Sequence, residues 1–242
     1  MGAAATSPYA GRRCGVTGAG GALGRALLRC WLEAGADPVA LRHGQGDLTL
    51  ELDDGSRHPV ETVAWSVGQE DALAPLLASL DVLVINHGIN PLGARDAEAL
   101  RRSLDVNTLS ALRLFELMLA LPARPGRQRE VWVNTSEAEV SPAFSPLYEI
   151  SKRTLGELVS LRSLDADGDC TVRRLVLGPF RSELNPYGVM RAEGVARAVL
   201  RQAAAGRRLV IVTPNPLTWL LMPAVETARQ LYYRAVTRRR DP

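Results

Sequence analysis

Three side chains in the middle of the sequence have types and spacing suited to proton transfer. Tyr148 and Lys152 lie four residues apart, so a helix would place them on one face. An ammonium held close to a phenol favours the phenolate, which makes a group with a reference pKa of about 10 usable nearer neutrality. Ser136 ends an apolar run and could orient the oxygen that exchanges the proton. We interpret these three residues as a candidate catalytic group.

A glycine-rich turn near the start of the chain indicates an anion site. The apolar run ending at Thr17 leads into Gly18, Gly21 and Gly24, spaced three apart, and then into an amphipathic helical pattern. Glycines at these positions let backbone amides approach a diphosphate while the helix N-terminus faces it. By itself the pattern also fits an ordinary tight turn in an α/β protein.

The end of the second predicted strand, residues 38–41, bears on which dinucleotide would bind. A carboxylate there would accept hydrogen bonds from the adenosine ribose, whereas a cation would suit a 2′-phosphate. The chain has Arg42 and His43 there, and its next acid is Asp47. Charge therefore favours NADP, with NAD left open and a solvated loop arginine as the other interpretation of Arg42. Ser66, after the third strand, could reach the adenine.

Two polar residues interrupt apolar patterns. His87 follows the buried-strand pattern of residues 81–85 and is either a catalytic imidazole or a satisfied residue packed against the cofactor ribose. With three histidines in the chain and no acidic cluster beside this one, no metal site is expected. Asn107 lies on the apolar stripe of a helix predicted over residues 97–121, where an asparagine usually bonds a neighbouring backbone.

Strand and helix patterns alternate along the whole chain. Seven strands with helices between them predict a single α/β domain with a doubly wound, seven-stranded parallel (Rossmann) sheet. The alternating residues 47–53, followed by Asp54-Gly55, predict a small hairpin outside that sheet. We divide the chain into a flexible N-terminus (1–10), a dinucleotide-binding domain (11–214) that includes a short lid, and a C-terminal amphipathic basic tail (215–242).

Charge and cysteine content limit the classes of function. Five arginines and two acids in residues 226–242 account for the whole formal charge of +3, so no basic face for a nucleic acid is expected. Three cysteines without C-x-x-C spacing, and a start without a signal-peptide pattern, favour the cytoplasm. The apolar run of the tail is too short to span a bilayer. It could lie on a membrane surface, or pack on the domain or on a second subunit.

Motifs at six places, in order, resemble those of one family. They are T-G-A-G-G-A-L-G after the first strand, Asn86-x-Gly88, Asn107 in D-V-N-T-L-S-A, Ser136, Tyr148-x-x-x-Lys152, and G-P-F-R-S after the sixth strand. Over residues 12–213 the chain resembles the short-chain dehydrogenase/reductase family. More narrowly, V-I-N-H-G-I-N, V-N-T-S-E-A-E-V and L-G-P-F-R-S-x-L-N-P are similar to cyanobacterial short-chain dehydrogenases often fused to a sterol-desaturase-like hydroxylase.

The resemblance implies roles for individual residues. Tyr148 would be the general acid/base, and Lys152 would lower its pKa and bond the nicotinamide ribose. Ser136 would polarise the carbonyl, and Asn107 would hold a water that relays protons to Lys152. The expected dinucleotide contacts are Thr17, Gly18, Gly21, Ala22, Leu23, Gly24, Arg42, Ser66, Asn86, Gly88, Lys152, Pro179 and Ser182.

The sequence departs from the family pattern at several positions. Ala22 stands where glycine is commonest, His87 replaces the usual alanine, and Ser66 stands where an adenine-binding aspartate is common. Ser136 lies twelve residues before Tyr148, slightly short of the usual gap, so Thr135 is an alternative to it. Glu137 and Glu139 lie beside the site without an assigned role.

Together these patterns predict an NAD(P)-dependent short-chain oxidoreductase that interconverts a carbonyl and a secondary alcohol. Apolar lid residues such as Tyr187, and the hydroxylase association, favour a lipid-, sterol- or carotenoid-like substrate. We expect a homo-oligomer, with peripheral membrane contact through the tail as one option. The alternative is a dinucleotide-sensing or partner-binding protein without turnover. Sugar epimerase or dehydratase chemistry fits the glycine spacing, but such relatives carry a larger C-terminal substrate region than the roughly thirty residues left here.

Overall fold

The structure, a computed structural model, describes residues 7–122, 124, 126–166 and 169–238 and is built on one twisted sheet. The strands are β1 Arg13–Thr17, β2 Asp37–Arg42, β3 Leu48–Glu51, β4 Arg57–Ala64, β5 Val82–Ile85, β6 Arg129–Asn134, β7 Cys170–Leu177 and β8 Leu209–Val212. The α-helices are α1 Ala22–Glu33, α2 Ala74–Ser79, α3 Ala97–Leu104, α4 Ala111–Ala120, α5 Pro146–Arg162, α6 Ala192–Ala204 and α7 Pro216–Val236.

The sheet order is β3-β4-β2-β1-β5-β6-β7-β8, and all neighbours except β3 and β4 pair in parallel. This confirms the doubly wound parallel sheet. The count of seven strands is wrong by one, because the hairpin of β3 and β4 joins the sheet edge. The alternation of apolar and polar residues in β3 explains why this strand lies at the sheet edge. Leu48 and Leu50 are 2% exposed and belong to the core on the α1 side.

Helices cover both faces of the sheet. One core cluster joins α1 and α6 to the strands, through residues such as Leu27 and Val199. The other joins α2, α4 and α5 through residues such as Phe115 and Leu155. Burying a large apolar side chain is worth about 1.5–3 kcal/mol, so these two layers hold the carboxyl ends of the strands in place.

The helix predicted over residues 97–121 is interrupted. Between α3 and α4, residues Asp105–Ser110 form a π-helical turn. Asn107, Thr108 and Ser110 are buried there, and the Thr108 hydroxyl donates to the Ser151 carbonyl at 2.9 Å. These buried polar groups find partners on other elements, and a π-turn inside a helix is frequent at functional sites.

The N-terminal end of the described chain differs from expectation. Residues 1–6 of the predicted flexible N-terminus lie outside the described residues. Tyr9, however, is 4% exposed and donates its hydroxyl to the Leu200 carbonyl at 3.0 Å, so that part is packed. The predicted tail begins as α7, with Asn215 as its N-cap and Pro216 in its first turn. Within the described residues, no helix combines the length and apolarity needed to cross a membrane.

Candidate active site

The three residues predicted to be catalytic come together at the carboxyl end of the sheet. Helix α5 begins at Pro146 and places Tyr148 and Lys152 one turn apart, as their spacing predicted. Ser136 follows β6 and lies close enough to Tyr148 for its hydroxyl to lower the pKa of the phenol. Ser145 is the N-cap residue of α5, but its hydroxyl donates to Asn90 Oδ1 at 2.7 Å instead of accepting from the helix. The start of the catalytic helix is therefore tied to the loop after β5.

Burial and hydrogen bonding act against each other on the phenol. Burial raises the pKa of Tyr148, whereas the hydrogen bond from Ser136 lowers it by stabilising the phenolate. Burial also lowers the pKa of Lys152 to about 8, opposed by the charge of Glu139. The Lys152 ammonium donates to the Asn134 carbonyl at 3.0 Å and lies 5.8 Å from the Tyr148 ring centroid. That Lys152 lowers the pKa of Tyr148 thus stays a prediction.

Asn107 is fully buried and bonded to protein groups. Its Oδ1 accepts from the Ile89 amide at 2.8 Å, and its Nδ2 donates to the Ile89 carbonyl at 2.9 Å and to Ser151 Oγ at 3.0 Å. A Cβ at Gly88 would lie 3.0 Å from Asn107 Oδ1, so glycine allows this loop to come close. The side chain clamps the β5 loop to α5, and the relay water stays a prediction.

The glycine turn has the geometry of an anion cradle. Gly18 has a φ of +66°, and a Cβ there would lie 3.0 Å from His87 Cα. A Cβ at Gly24 would overlap the Gly18 carbonyl, so the helix can pack on the turn only with glycine there. Gly21 is the N-cap of α1 and provides no side-chain cap, which leaves the first amides of the helix available. Leu23 is 3% exposed, so only its backbone can face a ligand.

The Thr17 side chain serves the scaffold and does not face the turn. Thr17 is fully buried, and its Oγ1 accepts from the amides of Asn86 at 2.8 Å and His87 at 3.2 Å. The predicted contact of Thr17 with the dinucleotide cannot come from this hydroxyl, because it already hydrogen-bonds the backbone of the loop after β5.

His87 continues this polar chain across the core. Its Nδ1 lies 2.9 Å from Thr17 Oγ1, and its Nε2 lies 3.2 Å from Ser110 Oγ, which donates to Glu70 Oε1 at 2.5 Å. Since the single Ser110 proton goes to Glu70, Ser110 accepts from Nε2–H, and Nδ1 is left to accept from Thr17. Burial, followed by the nearby charge of Lys152, lowers the pKa of His87 to about 4. The imidazole is therefore a neutral link between protein groups, and its packing against a cofactor ribose stays a prediction.

The adenosine end of the site holds an unpaired donor. Arg42 ends β2, and its Nε is buried with no hydrogen-bond partner among the described residues. Ser66 Oγ lies 3.3 Å from His43 Nδ1, so both line the same end of the sheet. Arg29 and Arg129 also have a buried Nε without a partner among the described residues, so it is the position of Arg42 at the end of β2 that fits a bound anion.

Asn134 is a site residue that sequence reasoning missed. It ends β6, holds Lys152 through its carbonyl, and donates Nδ2 to Asn86 Oδ1 at 2.8 Å. The side-chain oxygen of Asn86 is therefore already hydrogen-bonded to β6. The predicted contact of Asn86 with the nicotinamide would have to use the same side-chain amide. A polar residue at the end of an apolar strand, in V-W-V-N, was the available signal.

Thr135 does not replace Ser136. Its hydroxyl donates to the Leu175 carbonyl of β7 at 3.2 Å, and Thr135 is 2% exposed. Among the alternatives raised from spacing, the geometry therefore selects Ser136.

The predicted lid is a loop whose two ends hydrogen-bond each other and whose middle hydrogen-bonds the loop after β5. The Pro179 carbonyl accepts from the amides of Val189 and Met190 at 2.9 and 3.1 Å. Ser182 Oγ accepts from the Asn185 amide at 3.2 Å. The Leu184 carbonyl accepts from Asn90 Nδ2 at 3.2 Å, and Asn90 in turn holds Ser145. The lid is therefore connected through Asn90 to the start of the catalytic helix.

The two glutamates without assigned roles belong to different networks. Glu139 is buried and pairs with Arg174 and with Arg229, the latter at 2.9 Å. Glu137 Oε2 accepts from the hydroxyls of Thr213 at 2.5 Å and Thr218 at 3.3 Å. Both carboxylates join the segment after Ser136 to the C-terminal part of the chain.

Solved structures share this fold. A short-chain dehydrogenase from Burkholderia cenocepacia J2315 in complex with NADP is 22% identical, with a TM-score of 0.69 over 95% of this chain and 99% of that one. One from Sphingobium yanoikuyae in complex with NADPH is 17% identical, with a TM-score of 0.73 over 96% and 98%. The chain therefore has the fold of short-chain dehydrogenases, as the resemblance of its motifs implies.

A curated relative is more similar in sequence. The monoglucosyldiacylglycerol epimerase of Synechocystis sp. is 47% identical over 231 residues, which are 95% of this chain and 56% of that protein. The chain thus spans a little over half the length of this relative. None of the known family profiles matches the sequence.

Proposed function

We propose that the chain is an NADP-dependent oxidoreductase that interconverts a secondary alcohol and a carbonyl on a glycosylated diacylglycerol lipid. The observation that carries the proposal is the placement of a buried Lys152 ammonium 5.8 Å from the Tyr148 ring centroid, one turn away on α5, where Ser136 also acts on the pKa of the phenol. A phenol with an oriented hydroxyl donor and a nearby ammonium is suited to proton exchange with an alcohol oxygen.

Residues at both ends of the sheet edge fit a dinucleotide. The unpaired Arg42 Nε would meet a 2′-phosphate, and the turn at Gly18 with the uncapped start of α1 would meet the diphosphate. When bound, the cofactor would accept hydride from the alcohol carbon and return it to a carbonyl carbon. Two similar structures are complexes with NADP and NADPH, which supports this choice.

The proton is handled by the chain's own residues. In oxidation, the Tyr148 phenolate would take the proton of the substrate hydroxyl while Ser136 donates a hydrogen bond to the same oxygen. In reduction, the phenol would return that proton to the carbonyl oxygen. Lys152 would favour the phenolate by its charge and is held in place by the Asn134 carbonyl.

The name of the curated relative supports a lipid-linked sugar as substrate and epimerisation as the outcome. Removing hydride from one ring carbon and returning it to the opposite face inverts that carbon without net oxidation. The sequence-based argument against epimerase chemistry rested on the size of a C-terminal region. That argument is weakened, because an epimerase is 47% identical over nearly the whole chain. We keep a cytoplasmic homo-oligomer as the expected form.

The test uses monoglucosyldiacylglycerol in mixed micelles, with deuterium on the hydroxyl-bearing ring carbons. We expect a hexosyl lipid product of inverted configuration that retains the deuterium, dependent on NADP. Tyr148→Phe is expected to lower turnover at least about a hundredfold, the usual contribution of a general acid/base. Tyr9→Phe makes the same chemical change at a buried residue of the opposite face and should keep turnover.

Three results would contradict parts of the proposal. Normal turnover by Tyr148→Phe would remove the assigned proton donor. Oxidised lipid without an inverted product would leave an oxidoreductase that is not an epimerase. Tight NADP binding without turnover, on this lipid and on a panel of apolar alcohols and ketones, would favour the dinucleotide-sensing alternative.

A further inference from the structure

Helix α7 is amphipathic in the reverse sense as far as Tyr233, because the charged side chains of that part face the protein, whereas Arg234 in its last turn is exposed. Between Pro216 and Tyr233 it carries only two charged residues, Glu226 and Arg229. Glu226 pairs with Arg174 and accepts from Ser160 Oγ at 2.7 Å. Arg229 pairs with Glu139 at 2.9 Å and with Glu157 at 2.7 Å.

The outward face of α7 is apolar along its length. Its exposed large side chains are Leu217 (60%), Trp219 (43%), Leu220 (70%), Leu221 (38%), Leu231 (63%), Tyr232 (63%) and Val236 (58%). Trp219 stands apart, with its Nε1 donating to the Thr213 carbonyl at 3.1 Å. The others, with the exposed Ala224 and Ala228, recur at intervals of three and four residues and form one stripe. A surface helix normally has the opposite arrangement, so this stripe marks a contact with an apolar partner. We call it the α7 face.

The α7 face begins beside the active site. Thr218, in the first turn of α7, bonds Glu137, which directly follows Ser136. Asn215 Nδ2 donates to Ser141 Oγ at 3.2 Å, within the segment that leads to the catalytic helix. That segment also carries Phe144, which is 92% exposed, and the lid carries Tyr187, which is 88% exposed. Exposed apolar groups therefore lie on the elements around the site as well as on α7.

We propose that the α7 face docks on an anionic lipid bilayer and holds the active site at the membrane surface. Arginines follow the stripe at 234, 238, 239 and 240, with Asp241 as the only acid there. Such a cluster is attracted to anionic headgroups, and Tyr232 suits the headgroup level. Basic charge that follows an apolar stripe therefore favours a helix that lies on an anionic bilayer.

The inference rests on the proposed function in one respect, since a diacylglycerol lipid must be drawn from a bilayer. Its test needs neither substrate nor cofactor. The full chain is sedimented with vesicles of phosphatidylcholine alone and of phosphatidylcholine with phosphatidylglycerol. We expect binding to the anionic vesicles that weakens as salt is raised.

Two leucine substitutions test the face itself. Leu220→Glu combined with Leu231→Glu is expected to lower the partition coefficient at least about tenfold. Both side chains are mostly exposed, so NADP binding and thermal unfolding should not change. The matched control is Leu100→Glu, at an exposed leucine of α3, which should bind vesicles as the wild type does.

The outcomes separate this inference from the proposed function. Failure of the wild type to bind either vesicle would overturn docking, as would a double variant that still binds. A double variant that becomes monomeric from a dimer, with no vesicle binding by the wild type, would assign the face to a second copy. Tyr148→Phe should bind vesicles normally, so loss of turnover and loss of docking are measured independently.

Discussion

Glu139 connects the catalytic segment to α7, and its neutralisation tests that connection. Its side chain is 0% exposed and faces the guanidiniums of Arg174 and Arg229, which are 5% and 12% exposed. Gly156 of α5 makes room for the pair, since a Cβ there would overlap both the carboxylate and Arg174. Glu139→Gln keeps the shape and removes the charge, so two buried cations lose their common partner.

Each arginine keeps a second carboxylate after the substitution, Arg174 with Glu226 and Arg229 with Glu157. The expected cost is therefore below the 3–5 kcal/mol of an uncompensated buried charge, at about 1–3 kcal/mol for the lost bonds. For a domain of this size that corresponds to a fall in Tm of roughly 2–12 °C. The Glu116–Arg162 pair, at 2.9 Å with side chains 47% and 39% exposed, is the matched control. Glu116→Gln should cost less than about 1 kcal/mol.

Thermal unfolding and the pH dependence of turnover give separate readouts. Glu139 is the charge that opposes the effect of burial on Lys152, so Glu139→Gln should lower the pKa of Lys152 below its value of about 8. The limb of the pH profile that belongs to Lys152 should move to lower pH. A fall in Tm no larger than that of Glu116→Gln would refute the energetic argument. An unmoved pH profile would refute the link to Lys152.

Two further predictions concern a buried imidazole and an unpaired guanidinium. The pKa of His87 falls from about 6.5 unfolded to about 4 folded, so below pH 6.5 the unfolded state gains the proton first and stability falls. Urea unfolding should show the wild type losing about 1–2 kcal/mol more than His87→Gln between pH 8 and pH 5, and equal losses would contradict this. Arg42→Leu should weaken NADP binding at least about tenfold and NAD binding little, measured by fluorescence quenching. Arg201→Leu, on α6, is the control, and equal weakening for both cofactors would remove the 2′-phosphate role.

The predictions that succeeded depend on local rules. The parallel strands read as apolar runs, because strands buried on both faces need no alternation. The start of α5 was readable because proline is favoured in the first helical turn, and the spacing of Tyr148 and Lys152 then places them on one face. The turn at Gly18 was readable because its φ of +66° is accessible mainly to glycine.

The predictions that failed depend on partners distant in the chain. The hairpin at residues 47–53 was placed outside the sheet, because only the packed core shows that Leu48 and Leu50 have a surface to cover. The π-turn at residues 105–110 was missed, because it accompanies bonds from Asn107 and Thr108 to other elements. The N-terminal residue Tyr9 was expected to be flexible, since its carbonyl partner is 191 positions away.

The sequence by itself determined the succession of strands and helices along the chain, the glycine turn and the shared helix face of Tyr148 and Lys152, since each is encoded within a few neighbouring positions. Tertiary structure alone decided that Thr135 bonds the Leu175 carbonyl while Ser136 lies beside Tyr148, and that Asn134 holds Lys152. It also decided that Glu226 and Arg229 of α7 face inward, because they find partners on β7, on α5 and beside Ser136. Side-chain partners of this kind lie up to 90 positions apart, and no local pattern can encode them.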